Sequence, residues 1–167
     1  PAPAASGSAS TPAGPGVKPL GVDLPESLVI SNLSHEDAAK VYGNSIREDP
    51  RREVGIWEDV KTGERVVVQG DSATVDTTTV LYRDPEFSTR QWKMIEHFHP
   101  GAAATARTPS AQDFDVITHG QREGIEPRGA VKSEVTYIDP KTQKPQTTEF
   151  GYNPDSPTPY YIKYIAN

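Results

Sequence analysis

The sequence predicts a mixed α/β domain of the α+β kind, in which a sheet of several strands packs against two helices and is extended by β-hairpins. Three observations predict it. Two pairs of strand-like runs are each joined by a short link rich in turn residues. Two windows carry a serine N-cap followed by helix-compatible residues. Between them, QWKMIEHFHP at 91–100 alternates as a strand does.

The elements follow in order. Residues 1–25, PAPAASGSASTPAGPGVKPLGVDLP, are dominated by Pro, Ala, Gly and Ser. Such a composition buries too little apolar area to offset the entropy of ordering it, so this stretch is read as a linker and 26–167 as the domain. Ser34 with Asp37 three positions on marks a helix start, and Ala38, Ala39, Val41 and Tyr42 follow, giving a helix over 35–46. Pro50 ends it and pushes Asp49 away from helical angles. EVGIWEDV and ERVVVQG flank the turn residues KTG at 61–63 and form a hairpin, with Glu53 at the start of its first strand. DSATVDTTTVLYRDPEF, 71–87, is strand-like but broken by aspartates and receives no firm element.

In 91–100, strict alternation puts Trp92, Met94, Glu96 and Phe98 on one face and Lys93, Ile95, His97 and His99 on the other. GAAATARTP at 101–109 is a loop of small residues, after which Ser110 caps a helix through AQDFDVITHGQRE with Asp113 in its first turn. VKSEVTYID and TTEFGYN around PKTQKP form a second hairpin. YYIKYI closes the domain as an aromatic strand, and the prolines before it suit a sheet edge.

Composition narrows the chemistry. The chain has no cysteine, which removes disulfide frameworks, thiolate metal sites and thiol nucleophiles, so any metal must be held by histidines and carboxylates. A net charge of −6 with scattered basic residues argues against a nucleic-acid partner. No window approaches the roughly 18 apolar residues of a membrane span. The chain opens on Pro1 rather than Met, so it is expected to be a piece of a longer protein, which leaves its localisation open.

His97-Phe98-His99 on a strand places two imidazoles on one side, about 7 Å apart at the backbone and able to converge on one ion. A third ligand, Asp113, enters from a helix start that a compact loop returns toward the same strand end. Two histidines and one carboxylate leave a fourth position on zinc for water, the arrangement of a hydrolytic site. A carboxylate beyond the ligands then has to carry the proton, and Glu53, Glu96 and Glu58 are the candidates by position. Alternation turns Glu96 away from the histidines.

Taken together, Glu53, His97-Phe98-His99-Pro100 and Ser110-Ala111-Gln112-Asp113 resemble the JAMM motif of the JAB/MPN metalloenzymes, over roughly residues 30–140. The resemblance implies a JAB/MPN-like, cytidine-deaminase-like fold and a Zn2+-dependent peptidase or isopeptidase acting on a protein or a ubiquitin-like conjugate. It implies His97, His99 and Asp113 as ligands, Glu53 as general base and then acid, and Ser110 as a donor to the oxyanion. One departure stands out: ten residues separate His99 from Ser110, three more than the family pattern. Such a unit behind a Pro/Ala-rich stalk also resembles the C-terminal tips of bacterial polymorphic toxins of the Rhs type. That second resemblance implies delivery from a carrier protein into a target cell and a cognate immunity protein.

Two rival readings stand beside this one: an inactive MPN-like interaction module, and a toxin of other chemistry, NAD-consuming or nuclease, working through His97, Glu96 and His99. Among the remaining residues, His35 and His119 are read as incidental surface histidines. Trp57, Trp92, Phe98, Tyr160, Tyr161 and Tyr164 are assigned to packing.

Overall fold

The computed structural model describes residues 28–70, 81, 85–101 and 104–164; the linker expected over 1–25 and most of the stretch 71–87 lie outside them. The described chain forms a mixed α/β unit with one seven-stranded sheet. In chain order its elements are β1 (Leu28–Leu33), α1 (His35–Glu48), β2 (Val54–Asp59), β3 (Arg65–Gln69), β4 (Trp92–Phe98), a 3-10 turn (Ala104–Arg107), α2 (Ala111–Arg122), β5 (Val131–Ile138), β6 (Pro145–Tyr152) and β7 (Tyr160–Tyr164). The sheet order is β1-β3-β2-β4-β5-β6-β7. Among the described strands only β4 and β5 pair in parallel, because α2 lies between them in the chain and supplies the crossover that parallel strands require.

Each helix begins where its cap stands. The Ser34 hydroxyl accepts the Asp37 N–H at 3.1 Å, Glu36 and Asp37 sit at the positive end of α1, and Arg47 sits at its negative end. At α2, the Ser110 hydroxyl accepts the Asp113 N–H at 3.1 Å while the Asp113 carboxylate accepts the Ser110 N–H at 2.6 Å, a reciprocal capping box.

The two helices cover opposite faces. Ala38, Tyr42 and Ile46 of α1 pack with Val54, Ile56, Val67 and Phe98. On the other face Phe114, Val116 and Ile117 of α2 pack against Trp57, Val66, Val68, Trp92, Met94, Val135 and Phe150. Val66, Val67 and Val68 divide between the two cores as strand alternation demands.

Three expectations change. β1 has no sequence signal strong enough to announce it: Asn32 takes a left-handed φ of 60° and the register with β3 shifts between Ile30 and Leu33, so the short strand lacks regular alternation. Strict alternation through 91–100 also fails. The β2–β4 register slips between Ile56↔Glu96 and Trp57↔Met94, and this bulge inserts one residue and reverses the phase. Trp92 and Met94 therefore share the α2 face with His97, whereas Glu96 and Phe98 lie on the α1 face. Finally, Tyr160 and Tyr164 are 54% and 50% exposed on the edge strand β7, so they are not core residues. Trp57, Trp92 and Phe98 are buried as expected.

Candidate metal centre

The centre is assembled where β4 runs out and α2 begins. His97 lies opposite Gly55 of β2 and Val135 of β5, and pairing continues one step beyond the strand, where the His99 N–H bonds the Thr136 carbonyl at 3.0 Å. Both imidazoles project to the α2 face, with ring centroids 4.6 Å apart. Asp113 comes from the first turn of α2, which is pinned by the capping box and by Phe114 packing edge-on to Phe150 at 5.2 Å. Phe150 in turn packs edge-on to His97 at 6.1 Å, so one phenyl ring sets the spacing between strand and helix.

Three donor atoms converge. His97 Nε2 is 3.2 Å from Asp113 Oδ1, His99 Nε2 is 3.4 Å from Asp113 Oδ2, and the two Nε2 atoms are 2.9 Å apart. Ligands held about 2.0–2.1 Å from a tetrahedral zinc are separated by about 3.3–3.4 Å. The three distances thus lie within about half an ångström of the edges of such a tetrahedron. His97, His99 and Asp113 are the group among the described residues whose donor atoms are close enough to share an ion.

The protonation pattern suits a cation. His99 Nδ1 is 3.1 Å from the Ala106 carbonyl, an oxygen that can only accept, so Nδ1 carries a proton and Nε2 is the ring nitrogen facing the centre. His97 is 3% exposed and its Nδ1 has no partner among the described residues. Burial works to raise the Asp113 pKa, but hydrogen bonds from His97 and His99 hold it far below the usual carboxylate range. Burial likewise works to lower His99, and the hydrogen bond and charge of Asp113, the charge of Glu53 and the Ala106 carbonyl override it to give a raised pKa. In both cases the site is organised around a fixed negative group facing positive charge.

Glu53 stands one residue before β2 and outside the three-atom cluster, close enough for its charge to act on His99. Its carbonyl accepts the Gly70 N–H at 2.8 Å, which carries the β2–β3 pairing one step past the strands. Of the other carboxylates considered, Glu58 faces His35, Arg65 and Lys93. Glu96 lies on the opposite face, accepts the Thr136 hydroxyl at 2.5 Å and has its pKa raised chiefly by burial. Ser110 is exposed, and its hydroxyl accepts the Asp113 N–H, leaving its own hydrogen to donate. His119 is exposed, and His35 makes a 3.3 Å contact with the Gly63 carbonyl far from the centre.

Sequence reasoning missed several supports. The Ala106 carbonyl that orients His99 belongs to the 3-10 turn inside the long 101–109 loop, and a main-chain acceptor carries no side-chain signal. The segment leading to Glu53 is anchored by Arg52, 2% exposed, which donates from Nη1 to Gln69 Oε1 at 2.7 Å, while Gln69 donates to the Ser45 hydroxyl at 3.0 Å. The adjacent Arg51-Arg52 pair was the available clue. Comparison with known proteins finds no match to this chain among family models, curated proteins or solved structures.

Proposed function

We propose that this chain is a zinc-dependent hydrolase of amide bonds, a peptidase or isopeptidase of JAMM type with a JAB/MPN-like fold. The observation that carries the reading is the convergence of His97, His99 and Asp113 at near-tetrahedral separations, with the second nitrogen of His99 already committed to a carbonyl. Zinc in this position supplies an acidified water and a Lewis acid for the scissile carbonyl. The Nε2 atoms of His97 and His99 and the Asp113 carboxylate would hold the ion, and the capping box keeps Asp113 from turning away. Glu53 takes a proton from the attacking water and delivers it to the leaving amine. The Ser110 hydroxyl donates to the oxyanion as charge develops there. The 3-10 turn gives the long loop a task, since its Ala106 carbonyl fixes the His99 tautomer.

The same reading extends to the chain as the effector tip of a larger delivered protein, with a carrier and an immunity protein as partners and a protein or ubiquitin-like conjugate as target. Its support is the composition of 1–25 in front of the domain.

The test is metal content followed by activity. We expect one zinc per chain in the wild type and none in the His97→Ala/His99→Ala variant. Glu53→Gln is expected to keep its zinc and lose about 10²–10⁴ of the hydrolysis rate on protein substrates. A wild-type chain that cannot be loaded with zinc sinks the hydrolase reading; a zinc-loaded Glu53→Gln variant as active as wild type removes the assigned base.

A further inference from the structure

The two edges of the sheet are built differently. Among the described strands β1 ends the sheet on one side and β7 on the other. At β1, Asn32 has a left-handed φ of 60° and the register with β3 shifts between Ile30 and Leu33, irregularities of the kind that keep an edge from pairing onward. β7 has no such break. It pairs with β6 in unbroken register from Tyr152↔Tyr160 to Thr148↔Tyr164, and Pro157 and Pro159 stand outside the strand.

The main chain of β7 presents a row of unused groups. On the same ladder the Asn153 N–H bonds the Pro159 carbonyl at 2.7 Å, which makes Asn153 and Pro159 a hydrogen-bonded position. Hydrogen-bonded and non-hydrogen-bonded positions alternate along antiparallel strands, so Tyr161 and Lys163 turn their N–H and C=O groups toward β6. Tyr160, Ile162 and Tyr164 turn theirs to the outer edge, where no described strand meets them.

Apolar surface is concentrated at the same place. Tyr160, Ile162 and Tyr164 are 54%, 39% and 50% exposed, and the other exposed large apolar residues among those described, Val60 and Ile125, stand outside the strands and helices. The stripe lies on the α2 face. Tyr160 packs edge-on to Phe114 at 5.6 Å, and Tyr164 lies under the Arg107 guanidinium at 4.8 Å. A contiguous exposed apolar stripe marks an interaction surface, and an edge with free main-chain groups makes its natural occupant another strand.

The residue order indicates which strand. Tyr160-Tyr161-Ile162-Lys163-Tyr164 reads nearly the same in both directions about Ile162. A two-fold axis perpendicular to the sheet at Ile162 sets that residue against its own copy, Tyr160 against the second copy's Tyr164, and Tyr161 against the second copy's Lys163. On one face an aromatic-aliphatic-aromatic row meets its image; on the other each lysine meets a tyrosine. Like charges directly opposite would oppose pairing, and this register has none. The three positions whose main-chain groups face outward are the ones that fall opposite each other, so all of them bond.

We propose that β7 pairs antiparallel with β7 of a second copy of this chain, joining two seven-stranded sheets into one across a two-fold axis at Ile162. Main-chain bonding alone would equally admit an unrelated extended segment, and the near-palindrome favours the second copy. One five-residue strand from each copy is a contact at the low end of the about 1,200–2,000 Å² of stable interfaces, so the dimer is concentration-dependent.

The experiment sediments the full chain from about 1 µM to about 1 mM, the range of dissociation constants such a contact supports. The mass is expected to rise from the 18.2 kDa of one chain toward twice that value. Amide hydrogen exchange over the same range reads the interface. The N–H groups of Tyr160, Ile162 and Tyr164 are expected to exchange at least about tenfold more slowly in concentrated than in dilute solution, while those of Tyr161 and Lys163 stay protected throughout. Ile162→Lys and Ile162→Glu each set like charges together at the axis and should be monomeric, whereas an equal mixture of the two should form a dimer of one chain of each. If either substitution unfolds the chain, the wild-type exchange rates alone decide. The proposal is overturned by a wild type that stays monomeric throughout, by a dimer whose three outward amides exchange equally fast at every concentration, or by folded charge variants that fail to combine. Protection that appears only when a different polypeptide is added overturns it too and assigns the edge to that partner.

Discussion

At Gly55 the absence of a side chain leaves room for the Trp57 indole beside the strand position opposite His97. Gly55 stands opposite His97 in the sheet, and a Cβ built on it would lie 2.2 Å from the Trp57 ring, which folds back over the glycine. Trp57 is 3% exposed, so the ring has nowhere to retreat. Gly55→Ala is expected to cost about 1–3 kcal/mol by overpacking, read from the urea midpoint, and to weaken zinc binding through the displaced His97. An unchanged midpoint would mean that the ring swings freely. Asp59 gives the clearest pH signature away from the metal centre. Burial works to raise its pKa, but the Arg90 guanidinium at 2.6 Å and the N–H groups of Lys61 and Thr62 override this to a net lowering. A lowered folded pKa means that its contribution is present above the unfolded value near 3.8 and disappears as pH falls through the folded one. Asp59→Asn should therefore be less stable than wild type near neutral pH, with the gap closing in acid. Melting curves from pH 7 downward measure it, and a gap constant with pH would contradict the assignment.

Among the elements, the two hairpins share one design. Asp59-Val60-Lys61-Thr62-Gly63-Glu64 and Asp139-Pro140-Lys141-Thr142-Gln143-Lys144 each begin on an aspartate whose Oδ1 accepts the N–H two residues on, at 2.8 and 3.0 Å. Each closes with the same pair of main-chain bonds, Asp59 to Gly63 and Glu64, and Asp139 to Gln143 and Lys144. The fifth position is left-handed in both, with φ 75° at Gly63 and 58° at Gln143. Glycine reaches that region without steric cost, whereas a side-chain-bearing residue is penalised by roughly 1–2 kcal/mol. Gln143→Gly is accordingly expected to stabilise the chain by about 0.5–1 kcal/mol, after the loss of the Gln143 bond to the Pro140 carbonyl and the greater freedom of the unfolded glycine. Thermal unfolding checks the sign, and a lower melting temperature would show that the side-chain bond outweighs the backbone strain. The shared D-x-K-T wording was present in the sequence. Both hairpins were legible from it, but the kinship of their turns needed the dihedral angles.

Across the fold as a whole, β4 is the central strand of the seven-stranded sheet. It sends His97 and His99 to the α2 face and Glu96 and Phe98 to the α1 face, so one strand contributes both candidate histidine ligands and part of the core under α1. Zinc held as proposed by His97, His99 and Asp113 would tie β4 to α2 across a loop and so couple metal affinity to folding. At free zinc about one hundred times its dissociation constant, wild type is expected to gain about 2.7 kcal/mol of stability. Calorimetry with and without zinc measures this gain, and the His97→Ala/His99→Ala variant should show none. A gain of the same size in the variant would place the zinc elsewhere.

Local chemistry was enough to specify both helix starts, both hairpins, the closing edge strand and the pair of histidines on one face. Each of these rests on a capping serine, on turn residues or on period-two alternation, all contained in a short window of residues. Long-range packing was needed to bring Asp113 to both histidines, to put Trp92 and Met94 on their side through the bulge in β4, and to set the Ala106 carbonyl against His99. The same holds for β1. These features depend on register between segments distant in the chain. A register is set by the summed packing of two faces at once, which no local window of residues contains.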